Sequence, residues 1–248
     1  MPAKNSIKQY LENGYYHIYN RGVEKRIIFL DQQDYAVFLS YLKEYLLPKK
    51  EKELHDRLAD PQISSTERNK IIIRLKLNNF SGEITLLAYC LMPNHFHFFI
   101  KQKSVGAIDS FMNSLATRYT MYFNRKYKRV GHLYQGVYKA VLIVSEPQFL
   151  HLSRYIHRQA LASPGSVRHL ASQAFGSEAV AQARRGEVLR EKQPCSYPEY
   201  LGQRKTKWIH PEEILAYFDK ENSNLSYENF VKQNDEGRLL QKLTLEED

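Results

Sequence analysis

The stretch ITLLAYCLMPNHFHFFIK at 84–101 constrains the fold of this chain more than any other part of the sequence. Its first nine residues are almost continuously apolar, which is typical of a central strand in a sheet. Pro93-Asn94 is a turn signal, and the Phe- and Ile-rich residues at 95–101 have the composition of another strand. We therefore predict two tightly coupled antiparallel strands near the centre of a sheet.

The periodicity on either side of this strand pair predicts a split βαβ arrangement. Aromatic and β-branched residues indicate further strands, and apolar residues at helical spacing indicate helices. The predicted order is a strand at 15–20, a helix between its N-cap Asp34 and Pro48, the strand pair, a helix at 106–125, a strand at 138–144 and a helix at 147–162. This order predicts an α+β fold with a ferredoxin-like core, whose antiparallel sheet carries its helices on one face.

Composition predicts how the rest of the chain is organised. We expect an N-terminal segment at 1–14 and a main domain at 15–162, with a charged helical insertion at 49–80 that breaks at Pro61 and Ser64-Ser65. Residues 163–194 are rich in Ala, Gly, Arg and Gln, which indicates a flexible connector. Residues 195–248 are expected to form a small helical extension, with helices near 210–218 and 227–233 and an acidic tail.

The charge of the chain indicates a phosphate-bearing partner. The net charge is +9, and residues 84–145 contribute +7 of it, with eight bases and the single acid Asp109. Seven aromatic residues lie between positions 111 and 138 of that window. Basic groups neutralise phosphates and aromatic faces stack on unpaired bases, so this pattern favours nucleic-acid binding over a merely solvated basic surface.

Other compositional features exclude some classes of protein. No apolar run is long enough to span a bilayer, and the N-terminus lacks the apolar stretch of a secretory signal. We therefore expect a soluble, cytoplasmic protein without a membrane partner. Cys90 and Cys195 lie far apart in the sequence and form no CxxC unit, so a disulfide framework or a cysteine-rich zinc site is not expected.

His95 and His97 are the first candidate chemical residues. Alternate side chains of a strand share a face, so both imidazoles should point to one side and Phe96 to the other. Two imidazoles completed by amide or water oxygens would suit Mg²⁺ or Mn²⁺ better than zinc. A lone His-x-His is a weak motif, and two histidines with no shared role remain the alternative.

Tyr155 and Gln159 are the next candidates. Their spacing of four residues places them on one side of the helix predicted at 147–162. Gln159 could offer an amide oxygen to a metal ion, and Tyr155 could present its hydroxyl to a phosphate. The chain has 18 tyrosines, so a packing role is the alternative for any one of them.

Several ordered motifs resemble the single-tyrosine HUH transposases, most closely the REP-associated tyrosine transposases. These motifs are YYHIYNRGVEKRIIF, LAYCLMPNHFHFFIK, RVGHLYQGVYKAVLI, LSRYIHRQALAS and CSYPEYLG. Together they cover most of 15–162 and a short piece near 195–202. The chain departs from the usual pattern in two places, since Gln159-Ala160 stands where close relatives have Asn-Pro, and 163–194 is longer than the usual link.

The resemblance implies a catalytic domain at 15–162, with His95, His97 and Gln159 as ligands of Mg²⁺ or Mn²⁺ and Tyr155 as the nucleophile. It implies cleavage and rejoining of single-stranded or hairpin DNA through a 5′-phosphotyrosine, with the metal polarising the scissile phosphate. It is compatible with a homodimer, in which Tyr155 could serve the metal site of the other subunit, and with a monomer, since some relatives act as monomers. Candidate DNA contacts are Arg21, Arg125, Lys126, Lys128, Arg129 and His132.

Two alternatives stay open on the sequence. A non-catalytic, host-adopted nucleic-acid-binding regulator on the same fold would explain the charge equally well, although it would not need the histidines, the tyrosine and the glutamine together. A metal-dependent RNA endonuclease or an RNA binder would lack a covalent intermediate. The aromatic stacking signature of RNA-recognition sheets is not evident on the predicted strands.

Overall fold

Four strands form the antiparallel sheet at the centre of this protein, seen in a computed structural model that describes residues 8–161, 193–219 and 222–233. The strands are β1 (Tyr15–Arg21), β2 (Ile84–Met92), β3 (His95–Gln102) and β4 (Lys139–Ile143). Their order across the sheet is β2-β3-β1-β4, with every neighbouring pair antiparallel. Together with the helices between them, this topology is ferredoxin-like, so the predicted fold class is confirmed.

The first face of the sheet is covered by α1 (Gln32–Leu46) and α4 (Ala107–Lys126). Phe96, Phe98 and Ile100 of β3 are fully buried there, as the period of two along a strand requires. Burial of each such side chain stabilises the fold by about 1.5–3 kcal/mol. This face holds the main hydrophobic core.

The second face of the sheet is covered by α5 (Glu146–Leu161), so the prediction that the helices lie on one face is wrong. Leu152 and Ile156 of α5 pack on this face against Cys90 and Phe99 of the sheet. A register shift in β2 near Leu87 also adds an apolar residue to this side. The periodicity of a helix shows that one stripe is buried but does not show which face of a sheet receives it.

The first helix begins three residues earlier than predicted. Asp31 is its N-cap, and its carboxylate accepts a hydrogen bond from the backbone N–H of Asp34 at 3.0 Å. The Asp34 carboxylate in turn accepts from the backbone N–H of Asp31 at 3.3 Å, which completes a capping box. Both aspartates therefore belong to the same capping box. The sequence pattern predicted Asp34 as the N-cap, whereas the N-cap is Asp31.

The charged insertion forms two short helices on the surface, α2 (Glu51–Leu58) and α3 (Ser65–Lys76). Ser64 caps α3, since its hydroxyl accepts from the backbone N–H of Glu67 at 3.2 Å. The break around Pro61 and Ser64 agrees with the sequence prediction.

The C-terminal extension packs on the second face and along the outer edge of β2. Its helices are α6 (Tyr197–Tyr200), α7 (Glu212–Leu215) and α8 (Tyr227–Lys232), so the helix expected near 210–218 is shorter than predicted. The Leu91 N–H donates to the Pro194 carbonyl at 2.9 Å, and the Ser196 N–H donates to the Tyr89 carbonyl at 3.0 Å. These bonds cover a sheet edge that would otherwise present unpaired backbone groups.

The two cysteines, distant in sequence, are neighbours in the fold. Cys90 and Cys195 face each other across an isolated antiparallel bridge, and both are buried free thiols. The predicted connector at 163–194 lies outside the described residues except for its last two, and so does the predicted acidic tail. No helix among the described residues is long and apolar enough to cross a membrane.

Candidate active site on the second face of the sheet

His95 and His97 project from β3 towards the second face, as their spacing predicted. Their ring centroids lie 4.9 Å apart, with the rings nearly perpendicular. Phe96 between them is buried in the core of the first face. The two imidazoles therefore form a pair beneath α5.

His97 is fully buried and has one satisfied nitrogen. Its Nδ1 lies 2.9 Å from Nε2 of His17, which projects from the neighbouring strand β1. Its Nε2 is buried without a hydrogen-bond partner among the described residues. A buried polar atom without a partner is costly, so this nitrogen is suited to a ligand.

His95 stands at the rim of the pair and is partly exposed. Its Nδ1 lies 2.7 Å from Oδ1 of Asn94, the last residue of the turn between β2 and β3. Arg21 lies opposite it on β1 and donates to the side chain of Gln135.

The electrostatics keep both histidines neutral. Loss of hydration, with the positive charge of Arg21 as the smaller cause, lowers the pKa of His95 to about 4. Burial also holds the pKa of His97 well below its usual range, helped by the neighbouring His95 and His17. A neutral imidazole has a lone pair for a cation, so both side chains can act as metal ligands near neutral pH.

Tyr155 lies over this pair on α5. Its ring centroid is 5.4 Å from that of His97 and 5.9 Å from that of His17, with nearly perpendicular planes in both contacts. Leu152 and Ile156 hold this part of α5 against the sheet. The predicted nucleophile and the predicted histidine ligands therefore meet in one place within one chain.

Gln159 follows Tyr155 by one helical turn and is partly buried. No hydrogen bond joins it to either imidazole among the described residues, and its ligand role stays a prediction. Those residues also contain no group of three or more His, Cys, Asp or Glu side chains able to hold a metal ion. A metal here would complete its shell with the amide, water or phosphate oxygens.

Two residues of the site were not assigned a role from the sequence. His17 contacts His97 as described, and Tyr19 on the same strand lies with its ring centroid 4.8 Å from His17 and 6.0 Å from His97. The alternation of Tyr15, His17 and Tyr19 on β1 was visible in the sequence, but only the pairing of β1 with β3 brings it to the histidines. The site therefore contains a second tyrosine besides Tyr155.

The candidate DNA-contacting side chains differ in how exposed they are to solvent. Arg125, Lys128 and His132 are exposed, whereas Arg21 and Arg129 are partly buried. The guanidinium of Arg129 donates to Oδ1 of Asn124 at 2.8 Å.

Lys126 is engaged within the protein. Its ammonium lies 2.7 Å from carboxylate oxygens of both Asp31 and Asp34, and Asp34 is fully buried. These contacts raise its pKa against the opposing effect of burial. Its charge is neutralised locally, so Lys126 is better placed to join α4 to the α1 cap than to contact a phosphate.

Part of the chain is similar to a known protein family. The family model "Transposase IS200 like" matches residues 63–159, a range that includes His95, His97, Tyr155 and Gln159. No curated protein matches the chain.

Two solved structures match the chain at low sequence identity. A REP-associated tyrosine transposase bound to a REP hairpin has 9% identity and a TM-score of 0.44, covering 84% of this chain and 97% of its own. A candidate transposase from Deinococcus radiodurans R1 has 14% identity and a TM-score of 0.34, covering 62% of this chain and 97% of its own.

Proposed function

We propose that this protein cleaves and rejoins single-stranded DNA through a covalent bond to Tyr155. The match of residues 63–159 to the family model "Transposase IS200 like" supports this proposal. The observation that carries the proposal is the contact between the ring of Tyr155 and that of His97, whose buried Nε2 has no partner among the described residues. A tyrosine that only packs would not require a pair of neutral imidazoles beside it.

The donor set fits a divalent cation such as Mg²⁺ or Mn²⁺. His95 and His97 would hold it, and Gln159 is proposed to add an amide oxygen. A bound cation would neutralise charge on a phosphate and polarise it. Two neutral nitrogens leave most of the coordination shell to oxygen, which suits a hard cation that retains water or substrate oxygens.

The tyrosine performs the covalent step in this proposal. The phenolic oxygen of Tyr155 attacks phosphorus, and the bond from phosphorus to the 3′-oxygen breaks. The phenol loses its proton and the departing 3′-oxygen gains one, which gives a free 3′-hydroxyl. The 5′-phosphate remains bound to the tyrosine. A second 3′-hydroxyl can then attack this phosphotyrosine and release Tyr155, so strands are rejoined without a nucleotide cofactor.

The proposed substrate is single-stranded or hairpin DNA. Arg125, Lys128 and His132 are exposed and are proposed to contact its phosphates, together with Arg21 and Arg129. An unpaired strand exposes its backbone to a tyrosine that lies between a helix and a sheet. The ring of Tyr155 contacts that of His97 in the same chain, and this contact favours cleavage within one subunit.

A cleavage assay tests the proposed function. End-labelled single-stranded DNA from a hairpin library is incubated with the protein and Mn²⁺ or Mg²⁺, and the products are separated on denaturing gels. We expect metal-dependent cleavage that His97→Ala reduces at least about 100-fold, because loss of one of few ligands removes the metal. His55→Ala serves as the control, since His55 is exposed on α2.

Two outcomes would oppose the proposed function. Cleavage that continues unchanged with a chelator present or in His97→Ala would exclude the metal role. Tight binding of hairpin DNA without any cleavage would instead support a non-catalytic regulator on the same fold.

A further inference from the structure

We propose that Asn94 and His17 are positioning residues that fix the tautomers of His95 and His97, so that both imidazoles carry their proton on Nδ1 and keep a lone pair on Nε2. This inference deepens the proposed function, because it concerns how the site receives its cation. It rests on two hydrogen bonds supplied by two different parts of the fold.

Asn94 sets the tautomer of His95. Its side-chain Nδ2 donates to the Lys25 carbonyl at 3.3 Å, which orients the amide so that Oδ1 faces His95 at 2.7 Å. An amide oxygen can only accept a hydrogen bond, so Nδ1 of His95 must donate. Nε2 of His95 then has a free lone pair.

The turn that carries Asn94 is held firmly in place. The Gly22 N–H donates to the Asn94 carbonyl at 2.8 Å, and the N–H groups of Ile28 and Phe29 donate to the Pro93 carbonyl at 2.8 and 3.1 Å. A Cβ on Gly22 would lie 2.3 Å from the Arg26 carbonyl oxygen, so only glycine allows this close approach. The acceptor for His95 is therefore fixed by backbone contacts.

His17 sets the tautomer of His97. Both side chains are fully buried, and Nε2 of His17 lies 2.9 Å from Nδ1 of His97. A proton on Nε2 of His97 would be a buried donor without an acceptor among the described residues. The favoured arrangement places the proton on Nδ1 of His97, from which it is donated to Nε2 of His17.

The two hydrogen bonds have the same consequence for the site. In each, the nitrogen away from the neighbouring acceptor is left unprotonated, as occurs when a metal-binding histidine donates its other N–H to an outer partner. His17 takes the role that a carboxylate or carbonyl more often has. Unlike a carboxylate, an imidazole orients His97 without adding a negative charge to the site.

The tautomers can be measured directly without metal or DNA. Long-range proton–nitrogen NMR spectra of the ¹⁵N-histidine-labelled full chain, without metal, distinguish the two neutral forms. We expect His95 and His97 to be protonated on Nδ1 near pH 7.5. Protonation of either residue on Nε2 would overturn the proposal.

Variants then test whether this orientation matters for the cation. We expect His17→Phe to weaken Mn²⁺ binding about 10–100-fold and to change the tautomer signals of His97. His17→Gln, which retains an acceptor near the same position, should recover most of the affinity, and Asn94→Ala should change the signals of His95 alone. His55→Gln is the control, and thermal unfolding checks that each variant is folded.

The outcomes separate this inference from the proposed function. Equal Mn²⁺ affinity in His17→Phe and the parent chain, or no Mn²⁺ binding by the parent chain, would overturn the positioning role. The predicted tautomers and Mn²⁺ affinities without any DNA cleavage would support the positioning role and count against the proposed function alone.

Discussion

His157 shows how a single buried residue couples the helix of Tyr155 to the C-terminal extension. It is fully buried two residues after Tyr155, with Nδ1 2.6 Å from the Tyr227 hydroxyl and Nε2 2.8 Å from the Ser196 hydroxyl. Burial lowers its pKa to about 3. This histidine is therefore neutral in the folded protein over the whole range in which a free histidine titrates.

The depressed pKa of His157 predicts acid sensitivity. The unfolded chain binds a proton near the ordinary pKa of 6.5, whereas the folded chain does not until about pH 3. The stability that His157 contributes by staying neutral is thus fully present above pH 6.5 and is lost as the pH falls towards 3. We expect His157→Gln to reduce the slope of unfolding free energy against pH by about 1.4 kcal/mol per pH unit between pH 4 and 6.

Urea unfolding at several pH values measures this slope. The pKa values of His95 and His97 are also lowered by folding, so the His157→Gln variant should retain a smaller slope of the same sign. An unchanged slope in the variant would show that His157 is not held neutral by burial.

At the scale of elements, the segment around Ser196 joins β2 to α5. The Ser196 hydroxyl accepts from the Tyr89 N–H at 2.8 Å and also contacts His157. We expect Ser196→Ala to lower the free energy of unfolding by about 1–3 kcal/mol, because it leaves buried groups without partners. Ser40→Ala on the exposed side of α1 should change it by less than about 0.5 kcal/mol, and similar effects of the two changes would contradict this role.

The elements also show what the sequence could predict. The hairpin at 84–102, the alternation of His95 and His97, and the broken insertion all follow from local patterns of period two, turn residues and caps, and they agree with the structure. The placement of α5 on the second face does not follow from local patterns, because contacts with residues distant in sequence determine which face of the sheet a helix packs on. For the same reason, sequence alone assigned no role to His17 or Tyr19 of β1, or to the Cys90–Cys195 bridge.

At the scale of the whole molecule, the excess of positive charge predicts salt-dependent DNA binding. Arg125 and Lys128 are exposed, so each is free to replace counterions on a phosphate. We expect Arg125→Ala and Lys128→Ala each to weaken binding of hairpin DNA and to reduce the slope of log affinity against log salt by about 0.7–0.9. Fluorescence anisotropy at several salt concentrations measures this slope.

Lys126 lies at the same end of α4 as Arg125, but its charge is engaged within the protein. Since its ammonium is held by Asp31 and Asp34, Lys126→Ala should reduce stability while leaving the salt slope nearly unchanged. A larger loss of salt slope in Lys126→Ala than in the two exposed variants would contradict this division between structural and binding charges.

Tyr155 is the proposed site of the covalent bond, and Tyr19 also contacts His97, so the two tyrosines can be compared directly. The decisive measurement is the covalent protein–DNA adduct formed on labelled single-stranded or hairpin DNA with Mn²⁺, resolved on denaturing gels and mapped by peptide mass spectrometry. We predict an adduct on Tyr155 in the parent chain and in Tyr19→Phe, and its complete loss in Tyr155→Phe. An adduct that persists in Tyr155→Phe, or that maps to Tyr19, would exclude Tyr155 as the nucleophile.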